Sequence, residues 1–153
     1  MQFPAYEWDR TRATVVYSMS LAALTTLKRV AQERPHAPAL RGAEGRIIAY
    51  AEFADALRET GTLLAQNGIG SEDIVAVLLP ASALQVIAVA GILDTCACAA
   101  LQSKSTTDEV REWLLRIRPA AILLTDESQS AADLALSMGL IVFVAKPGDS
   151  PSQ

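Results

Sequence analysis

Twenty consecutive residues, Ile74 to Leu93, carry no charge, and a chain with such a run must bury it in a bilayer or in its own core. The length would suffice for a bilayer span. The details argue against one: Pro80-Ala81-Ser82 interrupts the run, Gln85 follows, Asp73 and Asp94 bracket it, and no Lys or Arg cluster adjoins either end. Divided at the proline, the run reads as a strand and a helix. Ile74 to Leu79 is a continuous Ile/Val/Ala/Leu segment, the pattern of a parallel strand covered on both faces. Ser82 to Asp94 is apolar almost all the way round, which predicts a helix buried between layers. A chain of 153 residues, 51% of them hydrophobic, is long enough to build the core that this requires.

The same alternation continues downstream. Ala97 to Leu101 is a short apolar strand, and Thr106-Thr107-Asp108-Glu109 matches a capping box. Behind it, Val110, Trp113, Leu114 and Ile117 recur at helical spacing, until Arg116, Arg118 and Pro119 close the helix. Ala120 to Thr125 reads as a strand, Ser130 to Met138 as a helix ended by Gly139, and Leu140 to Ala145 as a last strand before Lys146-Pro147-Gly148. Strands beginning at 74, 97, 120 and 140 with helices between them predict an α/β fold, a parallel sheet of about four strands joined by right-handed crossovers. The strand at Ile74 is expected to be central.

Upstream, Met1 to Met19 has no sustained period, and Ser20 is placed to cap a helix running to Glu33, with Leu24, Leu27 and Ala31 on one face. Ala39 to Arg41 and Arg46 to Ala49 flank Gly42-Ala43-Glu44-Gly45, which predicts a short β-hairpin. Tyr50 to Asn67 is a helix with Phe53, Leu57 and Leu64 inward and Glu52 in its first turn, and it stops at Gly68. The expected organisation is an N-terminal extension over residues 1–19, an α/β unit over 20–146 and a polar tail over 147–153.

Charge and motif content exclude several function classes. Thirteen Lys and Arg against 17 Asp and Glu leave a net charge of −4, without the basic field that holds nucleic acid or anionic lipid. The early charges Glu7 and Asp9 and the Ser/Thr-rich stretch that follows do not resemble a secretory signal, so a cytoplasmic location is expected. Cys96 and Cys98 read as small buried hydrophobes. The single histidine, His36, sits between Pro35 and Pro38 as a surface linker residue, so the four ligands of a zinc site cannot be assembled. Gly68-Ile69-Gly70 follows a helix, precedes a strand and has Asp73 where a dinucleotide fingerprint needs its third glycine. No glycine-rich run leads to Gly-Lys-Ser/Thr. Asp108 with Glu109, and Asp126 with Glu127, are explained as helix-start carboxylates. Ser82 lacks the flanking glycines and the histidine base of a nucleophile elbow. The sequence therefore offers no catalytic, cofactor-binding or metal-binding residue.

A family resemblance is carried by a series of segments in order. They are Arg34-Pro35-His36-Ala37-Pro38-Ala39-Leu40, Ile48-Ala49-Tyr50-Ala51-Glu52-Phe53, Leu64-Ala65-Gln66-Asn67-Gly68-Ile69 and Asp73-Ile74-Val75-Ala76-Val77-Leu78-Leu79-Pro80. Three more follow: Ala88-Val89-Ala90-Gly91-Ile92-Leu93, Thr107-Asp108-Glu109-Val110 and Pro119-Ala120-Ala121-Ile122-Leu123-Leu124-Thr125-Asp126. Together they resemble the amino-terminal portion of the adenylate-forming superfamily, the acyl-CoA synthetases and amino-acid adenylation domains. The chain departs from the pattern at Leu93-Asp94-Thr95-Cys96 and Ala99-Ala100-Leu101, where a glycine and a proline are replaced, and at Ala49, where a threonine is usual.

The resemblance implies a parent enzyme that activates a carboxylic acid with ATP and magnesium to an acyl adenylate, then passes it to coenzyme A or a carrier protein as a thioester. The family's phosphate loop, its nucleotide-binding motifs and its catalytic lysine find no counterpart in the 153 residues. The chain is then expected to be inactive alone. It would be a fragment or a degenerate paralogue that supplies scaffold and one wall of the acyl pocket, partnered by the remainder of the enzyme or by its own copies. The alternative is a complete, non-catalytic α/β interaction module that self-associates or serves as a partner of a larger enzyme.

Overall fold

The computed structural model describes residues 10–42 and 45–145. The start of the expected extension, the centre of the hairpin turn, the Lys146-Pro147-Gly148 turn and the polar tail lie outside the described residues. The elements run α1 (Arg10–Glu33), β1 (Pro38–Arg41), β2 (Ile47–Ala49), α2 (Tyr50–Gln66), β3 (Ile74–Leu78), α3 (Ala83–Leu93), β4 (Ala97–Ala100), α4 (Thr107–Ile117), β5 (Ala121–Thr125), α5 (Gln129–Ser137) and β6 (Ile141–Ala145).

The main departure from sequence expectation is α1, which begins at Arg10 and not at Ser20. Neither glycine nor proline occurs between Arg10 and Glu33, so nothing halts the helix at the serine, and a good capping residue inside such a stretch is simply carried along. Pro35 ends the helix as expected. The hairpin forms with antiparallel register Leu40↔Ile48 and Arg41↔Ile47, and α2 follows it directly, burying Phe53, Leu57 and Leu64.

Two helix ends are built alike. The Gly68 N–H donates to the Ala65 carbonyl and the Ile69 N–H to the Leu64 carbonyl, both at 3.0 Å; Gly139 and Leu140 repeat this on Leu136 and Ala135. These are Schellman closures, which need a left-handed residue, and Gly68 (φ 74°) and Gly139 (φ 77°) supply it. The box before α4 is complete: the Thr106 N–H donates to Glu109 Oε2 at 2.7 Å, and Thr106 Oγ1 accepts from the Glu109 N–H at 3.3 Å.

Four strands form one parallel sheet in the order β4-β3-β5-β6. β3 is internal, with Val75 to Leu78 buried, as the uninterrupted apolar run requires. On one face Ala76, Leu78, Ile122 and Leu124 pack against Val110 and Leu114 of α4 and Ala131, Leu134 and Ala135 of α5. On the other, Val75, Val77 and Leu79 meet Ala88 and Ile92 of α3 and Leu64 of α2. A smaller cluster of Leu24, Phe53 and Leu57 fastens α1 and the hairpin outside this second layer. Lys28 Nζ reaches both oxygens of Asp94 at 2.7 Å, tying α1 to the end of α3.

Helix α3 is not enclosed on every side, contrary to the sequence expectation. Ala88, Gly91 and Ile92 are buried, while Val86 is 46% and Leu93 36% exposed. Sheet and α2 cover only part of its circumference. The contact with α2 is tight: a Cβ built on Gly91 would lie 2.7 Å from Thr60 Cβ. The Gly91→Ala substitution would raise helix propensity by about 1 kcal/mol, but overpacking against a side-chain stem costs about 1–3 kcal/mol. Urea unfolding is expected to show net destabilisation, whereas Gly70→Ala, with nothing within 4 Å, should be near neutral.

Candidate functional site

The strand order creates a topological switch. From β3 the chain crosses to β4, on one side; from β5 it crosses to β6, on the other. Adjacent parallel strands whose connections diverge leave a crevice at their carboxyl ends, where open α/β sheets bind ligands. Here the crevice lies between β3 and β5. It is bordered by Leu79-Pro80-Ala81-Ser82 and by Thr125-Asp126-Glu127-Ser128.

The polar groups of this lip are largely engaged with one another. The Leu79 carbonyl accepts from Gln85 Nε2 at 3.2 Å. Ser82 Oγ donates to the Pro80 carbonyl at 3.1 Å and accepts from the Gln85 N–H at 3.2 Å, so Ser82 caps α3. The Thr125 and Ser128 hydroxyls are 3.3 Å apart, and Thr107 Oγ1 donates to Ser130 Oγ at 3.4 Å. Asp126 and Glu127 are exposed. Sequence places them at a helix start, but α5 begins at Gln129, with Ser128 at its N-cap making no side-chain cap bond, so the pair occupies the preceding turn. The lip thus presents two carboxylates and neither Lys nor Arg, the wrong charge for a polyphosphate and its metal without further groups. It can orient a neutral or polar segment laid across it. It has no nucleophile paired with a base.

The other residues weighed from sequence fall apart in space. Cys96 is buried before β4, and Cys98 is half-buried on it; both are free thiols. Burial, with a smaller contribution from Cys96, pushes the Cys98 thiol up to about 11, and burial and then Asp73 raise Cys96. Both stay protonated near neutrality, which suits packing and disfavours nucleophilic or ligand roles. His36 is exposed in the turn between α1 and β1. Gly70 donates its N–H to Asp73 Oδ2 at 2.8 Å, closing the turn into β3. Among the described residues no group of three or more His, Cys, Asp or Glu is arranged to hold a metal ion, and no helix is long and apolar enough to cross a membrane.

Two grooves lie away from the crevice. One, of about 440 Å³, runs between α1 and α3 along Leu24, Val86, Val89 and Leu93 and is almost wholly apolar. The other, of about 480 Å³, is bordered by Lys28, Gln32, Asp55, Arg58 and Asp94, between α1 and α2. Sequence reading does not anticipate either groove or the crevice, because each depends on which elements become neighbours.

Comparison with known proteins places this geometry. The family model described as "AMP-binding enzyme" matches residues 27–150. A linear gramicidin synthase polypeptide of Brevibacillus parabrevis is 28% identical over 121 residues, which are 79% of this chain and 2% of that protein. A benzoate CoA ligase from Burkholderia xenovorans LB400 superposes with a TM-score of 0.73 at 17% identity, over 81% of this chain and 26% of its own. ATP-bound MatB from Rhodopseudomonas palustris superposes with a TM-score of 0.70 at 19% identity, over 78% of this chain and 24% of its own. The chain therefore spans about a quarter of the length of these solved relatives and a far smaller share of the synthase.

Proposed function

Because the chain belongs to the AMP-binding enzyme family, we propose that it provides the amino-terminal α/β scaffold of an AMP-forming ligase. In that reaction a carboxylate oxygen attacks the α-phosphorus of ATP, pyrophosphate leaves, and the acyl adenylate is then taken by a thiol of coenzyme A or a carrier protein with release of AMP. In this reading the described residues do not themselves perform those steps. Among the described residues the switch-point lip carries Asp126 and Glu127 and neither Lys nor Arg, and in this reading the groups that hold ATP and its magnesium come from other polypeptide. What this chain contributes is a rigid sheet end, Leu79 to Ser82 beside Thr125 to Ser128, against which a wall of the acyl or nucleotide site can be assembled.

The observation that carries this reading is the family match, which extends over most of the chain, while the chain covers about a quarter of each solved relative. Intact mass and gel filtration of the protein purified from its source test it, joined to an assay for carboxylate-dependent exchange of pyrophosphate into ATP. The expected result is a longer polypeptide, or a stoichiometric complex with a second one, that exchanges. A free polypeptide of 153 residues as the sole native form, without exchange, would overturn the scaffold reading. It would leave the alternative of a complete non-catalytic module.

A further inference from the structure

The end of α2 is closed by a pair of residues prone to spontaneous reaction. Asn67 is the single asparagine of the chain, and Gly68 follows it. The fold uses both. Gly68 takes the left-handed conformation (φ 74°) that the closure needs, and Asn67 Nδ2 donates to the Leu63 carbonyl at 2.8 Å. The same two residues suit cyclisation, because a side-chain amide stands one residue before a backbone nitrogen that no Cβ shields. Both are exposed, so water reaches the bond between them.

In the closed helix end the reacting groups are otherwise engaged. The Gly68 N–H is held by the Ala65 carbonyl at 3.0 Å, while the Asn67 amide is turned back along α2 to Leu63. The closure is fastened from below: the Ile69 N–H donates to the Leu64 carbonyl at 3.0 Å, and Ile69, 4% exposed, lies in the same buried cluster as Leu64. Attack of the Gly68 nitrogen on the Asn67 side chain requires both the Gly68 and the Asn67 bonds to break.

We propose that Asn67-Gly68 is a deamidation site that stays silent while the end of α2 is closed and reacts when it opens, leaving a permanent chemical mark of the opening. In the open state the Gly68 amide gives its proton to hydroxide, and its nitrogen attacks Asn67 Cγ. The Cγ–Nδ2 bond breaks, Nδ2 takes a proton and leaves as ammonia, and a five-membered succinimide remains. Water then opens the ring. Addition at Cγ breaks the new bond and gives aspartate; addition at the backbone carbonyl breaks the original peptide bond and gives isoaspartate, with the chain running through Cγ. Neither product restores the closure. A carboxylate has no proton to offer the Leu63 carbonyl and sits at the negative end of the helix. Isoaspartate also adds an atom to the main chain between the carbonyls of Leu64 and Ala65 and the N–H groups that reach them. Opening of a helix end is thereby made irreversible. The inference rests on this turn alone, at the amino end of β3 and away from the crevice, and stands or falls independently of the ligase reading.

Peptide mapping by mass spectrometry is the test, on the 153-residue chain aged at neutral pH in buffer and in guanidinium chloride. With one asparagine in the chain, the mass gained when NH2 becomes OH in the peptide carrying residue 67 reports this site. The denatured chain should accumulate aspartate and isoaspartate at least about tenfold faster than the native one, the ratio expected when two ordinary hydrogen bonds must break first. Ile69→Ala, which loosens the closure, should keep the wild-type circular dichroism spectrum and deamidate faster in buffer. Asn67→Asp, which stands for one product, should melt a few degrees below the wild type. A native rate equal to or above the denatured one overturns the proposal, as does a denatured chain that gains no mass at Asn67. A folded Ile69→Ala chain with the wild-type rate would show that the closure is not the guard, and an unchanged melting temperature for Asn67→Asp would show that the mark has no consequence; either overturns it. If Ile69→Ala fails to fold, the native and denatured rates of the wild type decide.

Discussion

Val77→Asp is expected to yield no folded protein. Val77 is fully buried in the internal strand β3, between Ala100 of β4 and Leu123 of β5, with Ala88 and Ile92 of α3 in the same cluster. No polar or charged side chain is buried anywhere among the described residues, so the carboxylate would meet no counter-charge. The β3 backbone is already engaged by strands on both sides and offers little compensation. An unpartnered buried charge costs several kcal/mol, and a proton taken up to avoid it leaves a hydroxyl without an acceptor. Against a total stability of about 5–15 kcal/mol, that loss removes most of the folded population. Val77→Thr keeps the shape and adds only one hydroxyl, so it should fold with a loss of about 1–3 kcal/mol. Far-UV circular dichroism and urea unfolding of the two variants check the contrast; a soluble, cooperative Val77→Asp protein would mean that β3 is not central.

That β3 lies inside the sheet is legible in the sequence because a strand covered on both faces must be apolar throughout, and Ile74 to Leu79 is. The box at Thr106 and Glu109 and the stops at Gly68 and Gly139 are legible for a similar reason: each is a local solution to unpaired backbone groups, complete within a few residues. Long-range arrangement is not. The crossover from β4 past β3 to β5 leaves no mark in the order of elements, yet it alone sets the switch-point crevice. The exposure of Val86 and Leu93 on an otherwise apolar α3 follows from how far α1 and α2 reach round it. The start of α1 escapes sequence reading because a capping residue signals a terminus only where the preceding residues refuse the helix, and those before Ser20 do not.

The same distinction applies to the site. Sequence segments from Arg34 to Glu127 point to the adenylate-forming superfamily, and the family match over residues 27–150 agrees. Sequence names no residue that would do chemistry; among the described residues Ser82 caps a helix, Cys96 and Cys98 are packed, and His36 lies in a surface turn.

Titration of the 153-residue chain with MgATP, read as melting temperature and paired with pyrophosphate exchange over a panel of carboxylic acids, tests the scaffold account most directly. A ligand that binds only the native state at about 100 times its Kd adds about 2.7 kcal/mol, which is several degrees for a chain of this size. The account predicts no shift and no exchange, because the described residues at the lip between β3 and β5 include two carboxylates and neither Lys nor Arg to receive the phosphates. A saturable rise in melting temperature, with or without exchange, would contradict it by showing that these residues hold the nucleotide themselves.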